Sequence, residues 1–485
     1  MSIENQSKAP SFFDALIPLL SLIFMLAASV SYFADNSSYG PNQIALLFAM
    51  GIAIVIGLKN GYSWASIEKA IVRGISISLG AVLILLTVGA LIGTWLLSGT
   101  VPTMIYFGLQ IIDPSWFYAA ACLVCGIVAM SIGSSWTTAA TIGVAFIGIA
   151  NGFEMSSAIT AGAVISGAYF GDKLSPLSET TNLAPAVAGS ELFAHIRYML
   201  WTTIPSISIA LTLFLIIGFN HSAAGEVNAA TIETLSNTLL STYNISVLNL
   251  IPLVILLGLA YKKVPAFPAV AVGAIIGAIW AAIFQQDLIL TMVEDGVSQS
   301  TANITVIWTA FFDGVVVETG NSEIDELLSR GGMSSMLNTI WLVICALSFG
   351  AVLEHLGMLR KFVESILAAA KSTGSLIAST VATCIGTNLI TADQYMAIVM
   401  PGRMYKEEYE RRGLHPTVLS RTLEDSGTIT SPLIPWNTCG AFMFGALALT
   451  SYEYIFYCFF NLINPIMAII YGYVGFKIKK ITDEN

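Results

Sequence analysis

The residues able to do chemistry in this sequence are oxygen donors placed where hydrocarbon is expected. The stretch "FGDKLSPLSETTNLAPA", Phe170 to Ala186, puts Asp172, Ser175, Ser178, Glu179, Thr180, Thr181 and Asn182 inside a region that otherwise reads as membrane. A second stretch, "LEDSGTITSPLIPWNTCG", carries Asp425, Thr428, Thr430, Ser431 and Asn437. Two more polar points interrupt apolar runs: Ser134, Ser135, Thr137 and Thr138 in "SIGSSWTTAA", and Thr387, Asn388, Thr391 and Asp393 in "CIGTNLITADQ". Carboxylates, hydroxyls, amides and freed carbonyls suit hard alkali cations. No cysteine or histidine cluster stands with them to suit a transition metal.

An ionisable side chain within a membrane is a functional hypothesis by default. Burial raises the pKa of a carboxyl group, so a proton and Na+ compete for the same oxygens, the minimum machinery for antiport. Asp172 and Asp425 are the leading candidates, with Glu179 and Asp393 as further carboxylates. A structural alternative pairs Asp172 with Lys173 or Arg197, and Asp425 with Arg421 one turn before it. Capping of a hairpin tip is the competing role for Asp393. Glu354 and His355 read either as a proton relay or as interface capping. Pro176 and Pro432, in the matched Ser-Pro-Leu triplets at 175–177 and 431–433, lack an amide hydrogen and break their helices. The freed carbonyls would then face a cation, and the half-helix N-termini that follow would face an anion.

These points need a scaffold, and composition defines it. Hydrophobic residues make up 56% of the 485 residues against 10% charged, with a mean hydropathy of +0.79. The chain reads as one all-α integral membrane domain over residues 1–485. Its formal charge of −10 lies mostly in short loops and gives no sign of nucleic-acid binding. The first apolar run has no convincing cleavage site and reads as a retained helix. Six cysteines, including the C-x-x-C of Cys122 and Cys125, all fall in apolar segments and read as small buried hydrophobes. No nucleophile–base pair or nucleotide loop is visible, so the reading is a carrier with no resident cofactor, not an enzyme.

Clear spans are 14–33, 43–58, 75–98, 191–219, 245–261, 264–284, 333–353 and 454–476. Four longer stretches, 116–150, 155–190, 373–404 and 415–449, have polar centres. Lys59, Lys69, Arg73, Lys262, Lys263, Lys477, Lys479 and Lys480 mark inside loops, and the Lys- and Arg-free loops 34–42, 99–115, 220–244 and 285–303 read as outside. Both termini are then cytoplasmic in a cell inner membrane, with Arg330 the one basic residue against the scheme. Parity makes 116–150 and 373–404 re-entrant hairpins, for about ten crossings and two hairpins. "CIGTNLITADQ" aligns with "SIGSSWTTAAT" at an offset of 253, which also carries Asp172 onto Asp425. Five crossings per half make residues 14–219 and 245–476 inverted repeats with discontinuous helices, an architecture that places a site at the midplane. The pairs Gly89/Gly93 and Gly273/Gly277 fit small-residue helix packing.

The motifs "GAVISGAYFGDKLSPLSETTNLAPA", "GTVPTMIYFGL", "GSSWTTAATIGVAFIGI", "RGGMSSMLNTIW", "TADQYMAIVMPG" and "LSRTLEDSGTITSPLIPWNTCGAF" resemble the NhaC family of Na+/H+ antiporters, from about residue 40 to the C-terminus. The family pattern usually has aspartate where this chain has Glu179. The resemblance implies two inverted repeats within a larger ion-transporter superfamily, Na+ and H+ as the transported partners, contact with membrane lipid, and suggests a homodimer. NhaC-like proteins also include exchangers of small organic acids such as malate and lactate, with amino-acid carriers as plausible relatives. The leading expectation is Na+/H+ antiport by alternating access, and the second is a Na+- or H+-coupled carrier of a small organic acid or amino acid. The core motifs hold no arginine apart from Arg421, which favours the cation-only expectation.

Overall fold

The computed structural model describes residues 8–33, 36–37, 39–223, 229–368 and 370–481. Among them no strand forms, and an isolated β-bridge joins Leu414 to Lys480. The first half runs through α1 (Phe12–Phe33), α2 (Pro41–Lys59), α3 (Trp64–Leu97), α4 (Thr100–Ile111) and α5 (Phe117–Ile132). It then turns into α6 (Ser135–Thr138), which continues through a π turn at Ala139–Gly143 into α7 (Val144–Gly152). After these come α8 (Ser157–Leu174), α9 (Glu179–Ala188) and α10 (Leu192–Ala223). The chain continues through α11 (Ala229–Thr242), α12 (Ile251–Tyr261), α13 (Ala266–Phe284), α14 (Gln286–Thr291), α15 (Gln299–Phe312) and α16 (Ser322–Leu328). It closes with α17 (Leu337–His355), α18 (Met358–Ala368), α19 (Thr373–Thr391), α20 (Gln394–Arg411), α21 (Pro416–Leu423), α22 (Thr438–Ala446) and α23 (Phe459–Val474).

Eight helices among the described residues are long and apolar enough to cross a membrane. They include α5 and α19, the first arms of the two expected hairpins. The expected span 245–261 is bent by 90° against the helix before it, because the chain breaks between Thr242 and Val247. The expected span 454–476 begins with a 3-10 turn at Tyr452–Tyr457, leaving 16 residues of α23. Stretches read as outside loops are largely helical: α4 lies in 99–115, and α14 and the start of α15 lie in 285–303. Absence of Lys and Arg speaks to sidedness and not to backbone conformation, and Pro102 is tolerated in the first turn of α4. The expected loops 34–42 and 220–244 fall partly outside the described residues, and α11 occupies most of the latter.

Both Ser-Pro-Leu triplets break a helix. Between α8 and α9 the chain is extended at Ser175 and Ser178, and the Ser178 hydroxyl caps α9 by accepting from Thr181 N at 3.4 Å. In the second half α21 runs through a π turn at Glu424–Thr428 into a 3-10 turn at Ser431–Leu433. Asn437 then caps α22, accepting from Cys439 N at 3.0 Å.

Small residues bring the first break against the first hairpin. Among the described residues, no other helix pair packs as extensively as α5 and α8. A Cβ on Gly171 would collide with the Gly126 carbonyl and the Met130 amide, and one on Gly167 would strike the Cys122 carbonyl. This contact seats Asp172 beneath the turn that carries Ser135. Elsewhere Gly277 faces the Trp95 ring, and Trp95 Nε1 donates to Gly273 O at 3.1 Å, clamping α13 on α3. The six cysteines are buried thiols.

Overpacking at such a contact destabilises by about 1–3 kcal/mol. Gly171→Ala is therefore expected to lower the melting temperature of detergent-purified protein. Gly51→Ala, whose Cβ meets nothing within 4 Å, is expected to leave it unchanged or raise it.

Candidate functional site

Each break is held by its own hairpin, and the two halves meet between them. At the first, Ser135 donates to Asp172 Oδ2 twice, from its backbone N at 3.1 Å and its hydroxyl at 2.7 Å. Ser178 faces the same carboxylate from the far side of the break. Asp172 is buried, and its other oxygen, Oδ1, finds no hydrogen-bond donor among the described residues. At the second, Asn388 Nδ2 donates to Gly427 O at 2.6 Å and to Thr430 Oγ1 at 3.2 Å, while Asn437 Nδ2 donates to Asn388 Oδ1 at 3.0 Å. Trp136 from the first hairpin stacks on Phe442 of α22 with centroids 4.2 Å apart. The four polar points are thus brought into one region.

The carboxylates divide into different roles. Asp425 forms a fully buried ion pair with Lys173, and its Oδ1 also accepts from Thr202 Oγ1 at 3.0 Å and Asn464 Nδ2 at 3.1 Å. Lys173 therefore pairs across the halves and not with its neighbour Asp172. Arg197 is exposed and takes no part. Asp393 caps α20, its Oδ1 accepting from Met396 N at 2.8 Å. Glu179 is exposed at the mouth of the break and accepts from Tyr395 OH at 2.5 Å. Glu354 and His355 lie exposed at the end of α17, where His355 Nε2 meets Ser66 Oγ of α3 at 3.2 Å.

Many of the expected hydroxyl ligands bond back to the preceding turn, as Ser and Thr do in helices. Thr138 donates to Ser134 O at 2.9 Å, Thr387 to Thr383 O at 2.8 Å, Thr391 to Thr387 O at 2.9 Å and Thr430 to Ser426 O at 2.6 Å. Ser134 caps the turn, accepting from Thr137 N at 3.1 Å, and their hydroxyls lie 3.0 Å apart. The Ser175 hydroxyl accepts from Leu177 N at 3.3 Å. Asn182 is exposed and donates to Pro176 O at 2.9 Å.

The carbonyls freed by the prolines are also engaged, against the expectation that they face a cation. Thr181 Oγ1 donates to Asp172 O at 3.2 Å and to Lys173 O at 3.1 Å. In the second half Ser431 Oγ donates to Thr428 O at 2.7 Å, and Asn461 Nδ2 to Ile429 O at 2.8 Å. Backbone groups in a bilayer must be satisfied, and here side chains do it from one turn away (Ser431), from across the break (Thr181) and from α23 (Asn461).

Sequence reasoning missed Glu424, the neighbour in sequence of the Lys173 partner Asp425, and the depth of Arg421. Glu424 is fully buried, with Oε1 accepting from Thr180 Oγ1 at 3.0 Å. Its adjacency to Asp425 in an apolar setting was the available signal. Arg421 is fully buried, with Nε 3.9 Å from Asp425 Oδ2 and its guanidinium 4.4 Å from the Tyr198 ring centre. A separate cavity of about 1010 Å³ opens among Glu154, Glu326, Arg330, Glu453 and Thr231, and no residue of either break lines it.

An all-helical membrane bundle with two interrupted helices, each gripped by a hairpin around buried carboxylates, is the build of a secondary transporter. A family model for the Na+/H+ antiporter family matches residues 9–168 and 167–476. The Na(+)/H(+) antiporter NhaC of Alkalihalophilus pseudofirmus is 39% identical over 90% of this chain and 91% of its own. The malate-2H(+)/Na(+)-lactate antiporter of Bacillus subtilis is 36% identical over 96% of each chain. The arginine/ornithine antiporter ArcD of Halobacterium salinarum is 36% identical over 98% of this chain and 94% of its own. The chain belongs to the NhaC family of Na+/H+ antiporters.

Removing one partner of a buried ion pair strands the other charge, at about 3–5 kcal/mol, whereas removing both is far milder. Lys173→Met and Asp425→Asn are each expected to depress the thermal stability of purified protein, and the double variant to recover most of the loss. Additive losses in the double variant would show that the two side chains do not pair.

Proposed function

We propose that this protein exchanges Na+ for H+ across the membrane by alternating access, with Asp172 holding the cation and the proton in turn. The observation that carries this reading is a buried carboxylate at the break of a helix, with one oxygen fixed by two donors from Ser135 and the other, Oδ1, making no hydrogen bond of good geometry among the described residues. A carboxylate so placed is pre-oriented, and an ion or a proton must satisfy its remaining oxygen. Na+, a hard ion, suits a site made of carboxylate and hydroxyl oxygen.

Residues 14–219 and 245–476 act in this reading as inverted halves that rock about the site, in a cell inner membrane with both termini cytoplasmic. Asp425 serves the rocking by its ion pair and not by binding the ion. A second reading, exchange that also moves a small organic acid or amino acid, gains support from the burial of Arg421 beside the site, where a guanidinium can receive a carboxylate. The names of the Bacillus malate/lactate and Halobacterium arginine/ornithine relatives point the same way.

Sealed vesicles with an imposed pH gradient test the reading. Na+ by itself is expected to dissipate the gradient in wild type, Asp172→Asn to abolish the effect at normal expression, and Ser135→Ala to raise the half-saturating Na+ concentration roughly tenfold, the worth of one hydrogen bond to a charged group. Dissipation that needs a dicarboxylate, lactate or an amino acid would establish the second reading instead.

A further inference from the structure

We propose that Glu424 is a direct ligand of the transported cation, forming with Asp172 a two-carboxylate site that spans the two halves of the chain. The inference rests on the Na+/H+ exchange reading above and names a residue of the site beyond Asp172.

Two independent observations converge on Glu424. The first is an unsatisfied oxygen. Glu424 is fully buried, and its Oε2 makes no hydrogen bond of good geometry among the described residues, the condition also found at Asp172 Oδ1; Asp425 Oδ2 shares it but lies beside the Arg421 guanidinium, at 3.9 Å. A buried carboxylate oxygen left unpaired is expensive enough to call for a cation or a proton. The second is connectivity. Ser178 faces Asp172, the hydroxyls of Ser178 and Thr180 lie 3.2 Å apart, and Thr180 donates to Glu424 Oε1 at 3.0 Å. Two hydroxyls from the first break thus bridge the two carboxylates, and Thr428 faces Glu424 from its own π turn. π turns inside α-helices recur at functional sites, and this one begins at Glu424.

Charge accounting agrees. The broken helices bury Lys173 and Arg421 as cations and Asp172, Glu424 and Asp425 as carboxylates. Lys173 pairs with Asp425, and Arg421 lies 3.9 Å from its second oxygen. The formal sum over these five groups, apart from the α20 cap Asp393, is one negative charge, which a single alkali cation or a proton cancels. Asp172 stands on α8 and Glu424 on the π turn after α21, so a cation held by both links the halves that must move. Occupancy of the site is thereby coupled to their closure.

The test is Na+-dependent thermal stabilisation of detergent-purified, full-length protein, titrated with NaCl at ionic strength held constant with choline chloride. Wild type is expected to be stabilised with a saturable midpoint, and Glu424→Gln to shift that midpoint at least tenfold upward. Glu424→Asp, which keeps the charge on a shorter arm, is expected to fall between them and serves as the readout if Glu424→Gln does not fold. A midpoint within twofold of wild type in whichever of the two variants is read overturns the role of Glu424 while leaving Na+ binding intact. No Na+ stabilisation of wild type overturns the exchange reading and this inference with it.

Discussion

The buried ion pair between Lys173 and Asp425 is the constraint on which the site depends. It draws on four elements: Lys173 from α8, Asp425 from the π turn after α21, and the donors Thr202 from α10 and Asn464 from α23. Desolvating both charges is costly, and only the extra hydrogen bonds on Asp425 Oδ1 make the arrangement tolerable. Its consequence is directional. Successive residues of a helix point about 100° apart. With Lys173 committed to the second half, Asp172 is turned toward the first hairpin, where Ser135 meets it.

The breaks serve to expose side chains and not backbone. Proline removes a helical hydrogen bond and leaves carbonyls behind, yet Thr181, Ser431 and Asn461 take those carbonyls up. The oxygens left for an ion belong to carboxylates and a few hydroxyls. Such a site is selective by charge and tied to whichever helices carry its carboxylates. In the proposed site those are the two broken helices, one from each half.

Much of this was legible in the sequence. Polar clusters in apolar runs gave the two hairpins, and the Ser-Pro-Leu triplets gave the two breaks, because unpaired backbone in a bilayer requires a polar setting. The same reasoning places the first hairpin tip against the break, and the particular contact of Ser135 with Asp172 is what the structure adds. What the sequence concealed was facing. Aligning the halves by Asp172 and Asp425 is out of register with aligning them by their Ser-Pro-Leu triplets. Asp172 stands three residues before its triplet and Asp425 six before the other, within a π turn that no residue pattern announced. The carboxylates therefore do different work, and Glu424 beside Asp425 was passed over. The depth of Arg421 was not legible, since an i,i+4 spacing to Asp425 fits a surface pair as well as a buried one. Helical connections such as α4 were missed because the charge rule that placed them carries no information about their backbone.

The central claim is that one carboxylate, Asp172, gives up a proton when Na+ arrives. The most direct measurement is proton release from purified protein in a lightly buffered detergent solution containing a pH indicator, on addition of NaCl against a choline chloride control. The account predicts that wild type acidifies the solution on Na+ addition and that Asp172→Asn does not. Equal proton release from Asp172→Asn and wild type would contradict it.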